Sequence, residues 1–152
     1  MSKEQNKALV FRFYEELWNE RKTEIADEIF AENCITHQLQ SGTDVVGESR
    51  SPEAVKHHIA EWLNGFPDLR FTVEQMIAEE ETVVSRSVMR GTHTGNWLGI
   101  NPTGKQISIR MIVIHRIENG KIAEDWVLVE SLGFFQQLGL APSIQEMLTK
   151  TN

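Results

Sequence analysis

The sequence is poor in the features that mark secreted, membrane-bound or nucleic-acid-binding proteins. Its single cysteine, Cys34, cannot form an internal disulfide, and no apolar run approaches the roughly 18 residues of a membrane span. The first residues, MSKEQNKALV, contain no signal-peptide core. With 22 acidic and 15 basic residues the net charge is −7, which repels phosphate backbones and anionic lipids. We therefore expect a cytoplasmic protein without nucleic-acid or membrane partners.

Motifs for metal, nucleotide and serine chemistry are also missing. The sequence has no HExxH, no Cys/His pair at zinc spacing, no GxxxxGK[ST], no GxGxxG after a strand and no GxSxG. His57 and His58 are consecutive on a predicted helix, so their side chains diverge by about 100° and cannot grip one ion together. At most one of them faces inward. Metal-, nucleotide- and serine-based mechanisms therefore lose support, and the remaining alternative for a metal is a trio of scattered histidines that meet in space.

What the sequence does contain is the material of one globular domain. Its 152 residues are 40% hydrophobic and 24% charged, which is enough to enclose a core but leaves no room for a second domain and a linker. No repeat or low-complexity tract interrupts it. We predict a single domain over residues 1–152.

The N-terminal part has helical signals. Apolar residues recur at three- and four-residue steps over residues 3–20, which predicts an amphipathic helix. The stretch TEIADEIFAE, with Thr23 as N-cap, predicts a second, shorter helix. Ser51 followed by Pro52 is a favourable helix start and predicts a third helix over residues 52–64.

The remainder has strand signals. A short strand is predicted at CIT, before His37. Four longer stretches after Leu69 alternate or are rich in Val and Ile: RFTVEQMIAEE, ETVVSRSVMRGTHTG, KQISIRMIVIHRIENG and KIAEDWVLVE. Asn119-Gly120 predicts a hairpin between the last two, which then pair antiparallel. The order predicts an α+β fold: three N-terminal helices packed on one face of a curved antiparallel sheet, a cone with an interior pocket.

The last predicted strand carries three acids around one tryptophan. Side chains alternate along a strand, so Glu124, Trp126 and Glu130 are expected to share one face while Asp125 points the other way. With Trp126 pointing inward, both glutamates would enter the pocket. A carboxylate inside an apolar cavity is desolvated, its pKa rises, and it can act as a general acid or base. The alternative is a solvated strand-end glutamate beside a core tryptophan.

Four further side chains are candidates for the pocket wall. His115 ends an apolar row on the preceding strand, and His93 ends its own strand near the same mouth. His37 follows the short strand. Tyr14 lies on the apolar face of the first helix, where its hydroxyl needs a partner, either a ligand or a neighbour. For the histidines a purely structural hydrogen bond is an equally good explanation.

The sequence as a whole resembles the SnoaL-like polyketide cyclase, or ester cyclase, family within the NTF2-like superfamily. The resemblance is carried by GTHTGNWLGINPTGKQISI and IHRIENGKIAEDWVLVESLGFFQQLG, and by NKALVFRFYEELWNE and FPDLRFTVEQMIAEEETVVSR, so it covers nearly all of residues 5–140. It implies a cone of three helices on a curved antiparallel sheet around a mostly apolar cavity, usually in a homodimer.

The resemblance also implies a chemistry. Members of the family close a ring in a polyketide ester by an intramolecular aldol condensation, with acid/base catalysis and without metal or cofactor. Their key group is an aspartate on the last strand; Glu130 stands where the family often has it, four residues after Trp126. Asp125 stands where relatives often have His or Asn. His115 is near a cavity histidine of the cyclases, and Tyr14 near a helix residue that lines the cavity.

The sequence therefore predicts a cofactor-independent cyclase, of lyase or isomerase type, acting on a small apolar, polyketide-like carbonyl compound. Glu130 would remove a proton next to a carbonyl. His115, helped by His93 or Tyr14, would stabilise the enolate and protonate the new alkoxide. The remaining predicted substrate-binding residues are His37, Trp126 and Glu124.

Two alternatives keep the same fold. One is a non-catalytic protein that binds a small molecule, and the other is a hydrolase or isomerase that uses the same pocket. The outer face of the sheet carries apolar residues such as Ile112 and Ile114, opposite His115. We expect a second copy of the chain to bury these exposed apolar residues, so we predict a homodimer.

Overall fold

The structure is a computed structural model that describes residues 1–38 and 47–150. The helices are α1 (Lys3–Arg12), a π-helix that continues it (Phe13–Asn19), a 3-10 helix (Thr23–Ile25), α2 (Ala26–Ile29), α3 (Pro52–Gly65), α4 (Ser131–Gln137) and α5 (Ile144–Thr149). The strands are β1 (Phe30–Gln38), β2 (Glu48–Ser49), β3 (Arg70–Glu79), β4 (Thr82–Thr92), β5 (Gln106–Glu118) and β6 (Lys121–Val129). None of the described helices is long and apolar enough to cross a membrane.

The α+β class is confirmed, but the sheet is mixed rather than wholly antiparallel. Its strand order is β2-β1-β6-β5-β4-β3, and β1 pairs with β6 in parallel while every other pair is antiparallel. A parallel pair needs a long crossover, and here α3 and the β3–β5 meander lie between the two strands. The prediction missed the parallel pair because it rests on a contact between distant parts of the chain.

The helical elements follow local sequence signals. Ser2 and Gln5 form a capping box at the start of α1, and the Ser51 hydroxyl accepts a hydrogen bond from the Ala54 N–H at the start of α3. The second predicted helix is shorter than expected, because Phe30 already adopts extended backbone angles and begins β1. The N-terminal helical region is thus more divided than the three predicted helices, and α4 and α5 follow the sheet.

Helices α1, α3 and α4 and the π-helix pack on one face of the sheet, where the core lies. Leu17, Ile59 and Ile109 are fully buried there. The predicted hairpin joins β5 to β6: Asn119 and Gly120 have φ angles of 51° and 73°, the left-handed pair that suits a two-residue turn.

A β-bulge in β6 decides which of its side chains face the core. Ile117 pairs with Ile122, but Arg116 pairs with Glu124, so Ala123 is an extra residue without a partner on β5. The alternation of faces restarts after it. Ile122 and Asp125 consequently both point to the buried side, although three positions separate them.

Candidate active site

The predicted orientation of the acids on β6 is wrong. Glu124 and Trp126 face the outer surface of the sheet, and Glu130 is exposed at the N-cap of α4, where its Oε2 accepts a hydrogen bond from the Arg110 N–H at 3.3 Å. The predicted alternation holds, since Glu124 and Trp126 share one face and Asp125 lies on the other, but the assumption that Trp126 points inward is wrong. The bulge at Ala123 places Asp125 on the same buried side as Ile122.

On the outer face these residues form a polar network instead of a pocket wall. The rings of His37 and Trp126 stack with centroids 5.2 Å apart. The His37 Nε2–H donates to Glu124 Oε1 at 2.9 Å, and Arg116 Nε–H donates to Glu124 Oε2 at 3.0 Å. The bonds from His37 and then Arg116 lower the pKa of Glu124. The three residues predicted to bind substrate, His37, Glu124 and Trp126, therefore lie outside the cavity.

Asp125 is the carboxylate that enters the interior. Its side chain lines the closed end of the cavity, and the residue is 6% exposed. Burial raises its pKa to about 6, while Thr36 and then the positive charge of Arg50 oppose the rise. Its Oδ1 has no hydrogen-bond partner among the described residues. This is the arrangement that the sequence predicted for Glu130.

His115 lies directly opposite Asp125 across the β5–β6 pair, on the inner face as predicted. Its ring is fully buried, with the Phe13 ring 5.4 Å away, and neither ring nitrogen has a hydrogen-bond partner in the described part of the chain. Burial lowers its pKa to about 3, so the imidazole is neutral at pH 7. A neutral imidazole carries one N–H donor and one acceptor.

The two residues lie in the inner of two adjoining chambers. The inner chamber has a volume of about 70 Å³ and also contains Arg50, and the outer chamber has a volume of about 250 Å³. The two chambers adjoin each other, with six lining residues in common: Trp18, Gln38, His58, Phe71, Met111 and Val127. The outer walls are mainly aromatic, with Trp62, Trp97, Phe134 and Phe135.

Of the two adjacent histidines on α3, only His58 faces the cavity, as the predicted divergence requires. His58 lines both chambers, with ring centroids 6.1 Å from Trp18 and 6.5 Å from Trp62. Burial, helped by the charge of Arg50, lowers its pKa to about 4. The His57 side chain is 79% exposed.

Two other predicted ligand contacts are committed to the protein itself. The His93 ring is buried against Phe66, and its Nδ1 accepts hydrogen bonds from the Thr103 N–H and hydroxyl at 3.2 and 3.0 Å. It therefore fixes the loop between β4 and β5. The Tyr14 hydroxyl is 2.8 Å from Ser85 Oγ, and burial raises its pKa. Neither residue is among those lining the two chambers.

Asp125 was missed because alternation separates the two faces of a strand without showing which face is buried, and the inward face was assigned from Trp126. One signal was available: Val127 and Val129 continue the row of Asp125, and two β-branched side chains in line suit a buried sheet face. Arg50 and His58 lie on a loop and a helix distant in sequence from β6. Their meeting with Asp125 is a tertiary feature with no local signature.

Comparisons with known proteins agree with this architecture. The model of the family described as SnoaL-like polyketide cyclase matches residues 8–138. No curated protein sequence matches the chain.

Solved structures share the fold over most of its length. IdmH from Streptomyces antibioticus, "a putative polyketide cyclase", is 27% identical with a TM-score of 0.75, covering 89% of this chain and 99% of that one. A "putative polyketide cyclase" from Bacillus cereus is also 27% identical, with a TM-score of 0.73 and coverages of 91% and 83%. AclR from Streptomyces galilaeus, "a putative hydroxylase", is 22% identical with a TM-score of 0.82 and coverages of 99% and 95%.

Proposed function

This chain belongs to the SnoaL-like polyketide cyclase family, and we propose that it closes a ring in an apolar carbonyl compound by acid/base catalysis with Asp125 as the base. One observation carries the proposal. Asp125 and His115 are register partners on β6 and β5 and lie side by side in the inner chamber, both buried and both with polar atoms that no described residue satisfies. The role that the sequence assigned to Glu130 passes to Asp125, since Glu130 is exposed.

The first step is removal of a proton from a carbon next to a carbonyl group. With a pKa of about 6, Asp125 is largely ionised at pH 7 and yet a stronger base than an ordinary aspartate. The electron pair of the C–H bond moves into the enolate, and the proton goes to the carboxylate. The surrounding apolar walls exclude water that would otherwise weaken the base.

The second element is stabilisation of the negative charge that develops on the enolate oxygen when Asp125 takes the proton. The neutral His115 ring offers an N–H donor within the same chamber, and it needs no reorganisation because it is held by packing alone. The Arg50 guanidinium lines the chamber as well and supplies a positive charge. Fixed donors and charges in a dry site are worth far more than the same groups in water.

Ring closure then needs no other reagent. The enolate carbon attacks a second carbonyl carbon of the same molecule, a C–C bond forms, and the electron pair of that C=O bond becomes an alkoxide. The protonated Asp125 returns its proton to the alkoxide, which restores the resting carboxylate. The proton count balances, and neither an oxidant nor a reductant is consumed.

The outer chamber holds the substrate in the folded conformation that ring closure requires. Aromatic walls from the π-helix, α3, α4 and the β4–β5 loop suit a flat apolar body, with Trp62 and Trp97 rings 4.9 Å apart and Trp97 and Phe134 rings 5.1 Å apart. Holding both reacting carbons close together converts closure into a favourable intramolecular step. These residues replace His37, Glu124 and Trp126 as the proposed substrate contacts.

The test separates the two carboxylates. 5-Nitrobenzisoxazole is an aromatic carbon acid; when a base takes its C–H proton, the ring N–O bond breaks and a coloured cyanophenolate forms. We expect Asp125→Asn to lower this elimination rate by about 100-fold or more, the usual scale of general-base catalysis. The matched control, Glu130→Gln, should keep the wild-type rate. An active Asp125→Asn protein would refute the base assignment.

Ring closure itself is tested with an aryl-substituted 1,5-diketone, followed by mass spectrometry and chromatography for the cyclic β-hydroxyketone. Closure that depends on Asp125 supports the cyclase. Proton removal without closure would favour an isomerase, and binding with neither reaction would favour a non-catalytic binding protein.

A homodimer is part of the proposal. The outer sheet face has an apolar patch formed by Ile35, Ile112 and Leu128, which are 41%, 44% and 48% exposed, and Ile112 is paired with Leu128. A second copy would cover this patch. Light scattering should show a dimer that Ile112→Glu converts to a monomer, whereas Phe11→Glu, on an exposed site of α1, should not. We also retain the prediction of a cytoplasmic protein without nucleic-acid or membrane partners.

A further inference from the structure

A second cavity lies on the outer side of the sheet, at the start of β3, the end of β4 and the start of β5. Its volume is about 650 Å³, and it shares no lining residue with the two chambers. Its walls are formed by Asp68, Arg70, Thr72, Arg90, Gly91, Thr92, Gln106, Ile107, Ser108 and Gln137. It is also separate from the apolar patch of Ile35, Ile112 and Leu128. We call it the arginine cleft.

Two arginines stand directly opposite each other in this cleft. Arg70 on β3 pairs in register with Arg90 on β4, and like charges at opposed positions repel. The Arg70 Nη2 lies 3.6 Å from Glu15 Oε1, but Arg90 has no ion pair within the described residues. In a chain with a net charge of −7, a pair of facing cations is an arrangement that a bound anion would relieve.

Among the described residues, the one acidic residue that lines the cleft, Asp68, accepts hydrogen bonds from Thr92 with both carboxylate oxygens. Asp68 Oδ1 accepts a hydrogen bond from the Thr92 N–H and Oδ2 accepts one from the Thr92 hydroxyl, both at 2.7 Å. Arg21 adds a positive charge at the same rim, where its Nη2 donates to the Leu69 carbonyl at 2.7 Å. Asp68 keeps its negative charge, but within the described residues it forms no ion pair with Arg70 or Arg90.

The remaining wall is polar and held in place. The Gln137 side chain accepts from the Ser108 N–H at 2.7 Å and donates to the Ser108 carbonyl at 3.1 Å, which ties α4 to β5. Thr72 and Gln106 add further donors on the same surface. A fixed wall of neutral donors around a cationic pair is the composition of an anion site rather than of a hydrophobic one.

We propose that the arginine cleft binds the oxyanion group of a small molecule, a carboxylate or a phosphate, between Arg70 and Arg90. The planar guanidinium fork matches both groups in a bidentate manner. This site is independent of the ring-closing chemistry proposed for the inner chamber.

The test uses the full chain at low ionic strength, with inorganic pyrophosphate and succinate as the two probes in separate calorimetric titrations. We expect saturable binding of at least one probe, and the stronger of the two identifies phosphate or carboxylate as the preferred group. Arg90→Gln should weaken that binding by about 10-fold, the scale of one lost charged hydrogen bond. Arg90 is exposed, so the variant should fold, which its unfolding temperature checks.

The matched control is Arg86→Gln. Arg86 lies on the same strand and the same outer face as Arg90, but it is ion-paired with Glu74. Its loss removes the same charge from the protein, and we expect the affinity to change by no more than about 2-fold. The proposal is overturned if neither probe binds at millimolar concentration, if Arg90→Gln binds as the wild type does, or if Arg86→Gln weakens binding equally.

Discussion

Asp125 and Glu124 are neighbours in the chain, but the fold gives their carboxylates opposite surroundings. Asp125 lies in the inner chamber, 6% exposed, with a pKa that burial raises to about 6 and an oxygen that no described residue satisfies. Glu124 lies on the outer face, where His37 and Arg116 bind both of its oxygens and lower its pKa. One side chain is left able to exchange a proton, and the other is held in its ionised form. The strand face, not the residue type, makes this difference.

The largest expected effect is on the elimination rate, and it comes from replacing His115, the buried neighbour of Asp125. His115→Leu removes the N–H that stabilises the developing oxyanion, and we expect the elimination rate of 5-nitrobenzisoxazole to fall by about 100-fold, as for other lost oxyanion donors. The outer-face counterpart, His37→Leu, should leave that rate unchanged. The measurement is the initial elimination rate of each variant at a saturating concentration of 5-nitrobenzisoxazole. Equal losses of rate in the two variants would contradict the assignment of His115 as the oxyanion donor.

The next effect is on stability. The pKa of Asp125 is about 6 in the fold against 3.8 as its model value, so the folded state holds the proton more tightly, and its stability falls as pH rises from about 4 through 6. Removing the charge should therefore stabilise the protein above that range. Asp125→Asn is expected to gain up to about 3 kcal/mol at pH 7.5 and almost nothing at pH 4.

Denaturant unfolding at the two pH values measures this gain. Glu124→Gln provides the contrast: its lowered pKa means that the ionised form is stabilised in the fold, so the variant should be less stable than the wild type at pH 7.5. A loss of stability in Asp125→Asn at pH 7.5 would mean that its carboxylate is well solvated or paired.

A smaller effect is the pH dependence of the rate. Only ionised Asp125 takes a proton, so the elimination rate should be level above about pH 7 and fall about tenfold per pH unit below pH 6. His115 is neutral throughout this range and should add no second inflection. A profile with its midpoint near pH 4 would mean that the base is not a desolvated carboxylate.

The smallest effect tests the bulge. Deleting Ala123 removes the unpaired residue, and Ile122, Glu124 and Asp125 then alternate regularly with Asp125 still pointing inward. We expect the variant to lose about 1 to 2 kcal/mol of stability and to keep the elimination rate within about 3-fold. A variant that folds but no longer catalyses the elimination would show that the bulge does more than change the alternation of inward and outward side chains along β6.

Structural elements that are determined by residues close together in the sequence could be predicted. Ser51 and Pro52 start α3, Asn119-Gly120 forms the β5–β6 turn, and the inward row of β5 ends at His115 as predicted. Each of these depends on residues close together in the chain, so the pattern contains the cause. The division of inner and outer faces on β5 was correct for the same reason.

The features that failed depend on distant contacts. The parallel pairing of β1 with β6 and the bulge at Ala123 are settled by packing across the sheet, which alternation in one strand cannot reveal. His93 was expected at the pocket, but Phe66 and Thr103, from two different loops, hold its ring elsewhere. The resemblance to the cyclases pointed to Glu130 as the acid of the last strand, whereas the buried carboxylate is Asp125.

The central claim is that Asp125 is a desolvated carboxylate, and its titration measures this most directly. Carbon-13 NMR of the aspartate and glutamate side-chain carboxyls, assigned with Asp125→Asn, gives the pKa of each group in the folded protein. We expect Asp125 to titrate near pH 6 and Glu124 below its ordinary value. An Asp125 pKa at or below 4 would contradict the account, because such a carboxylate would be too well solvated to serve as the proposed base.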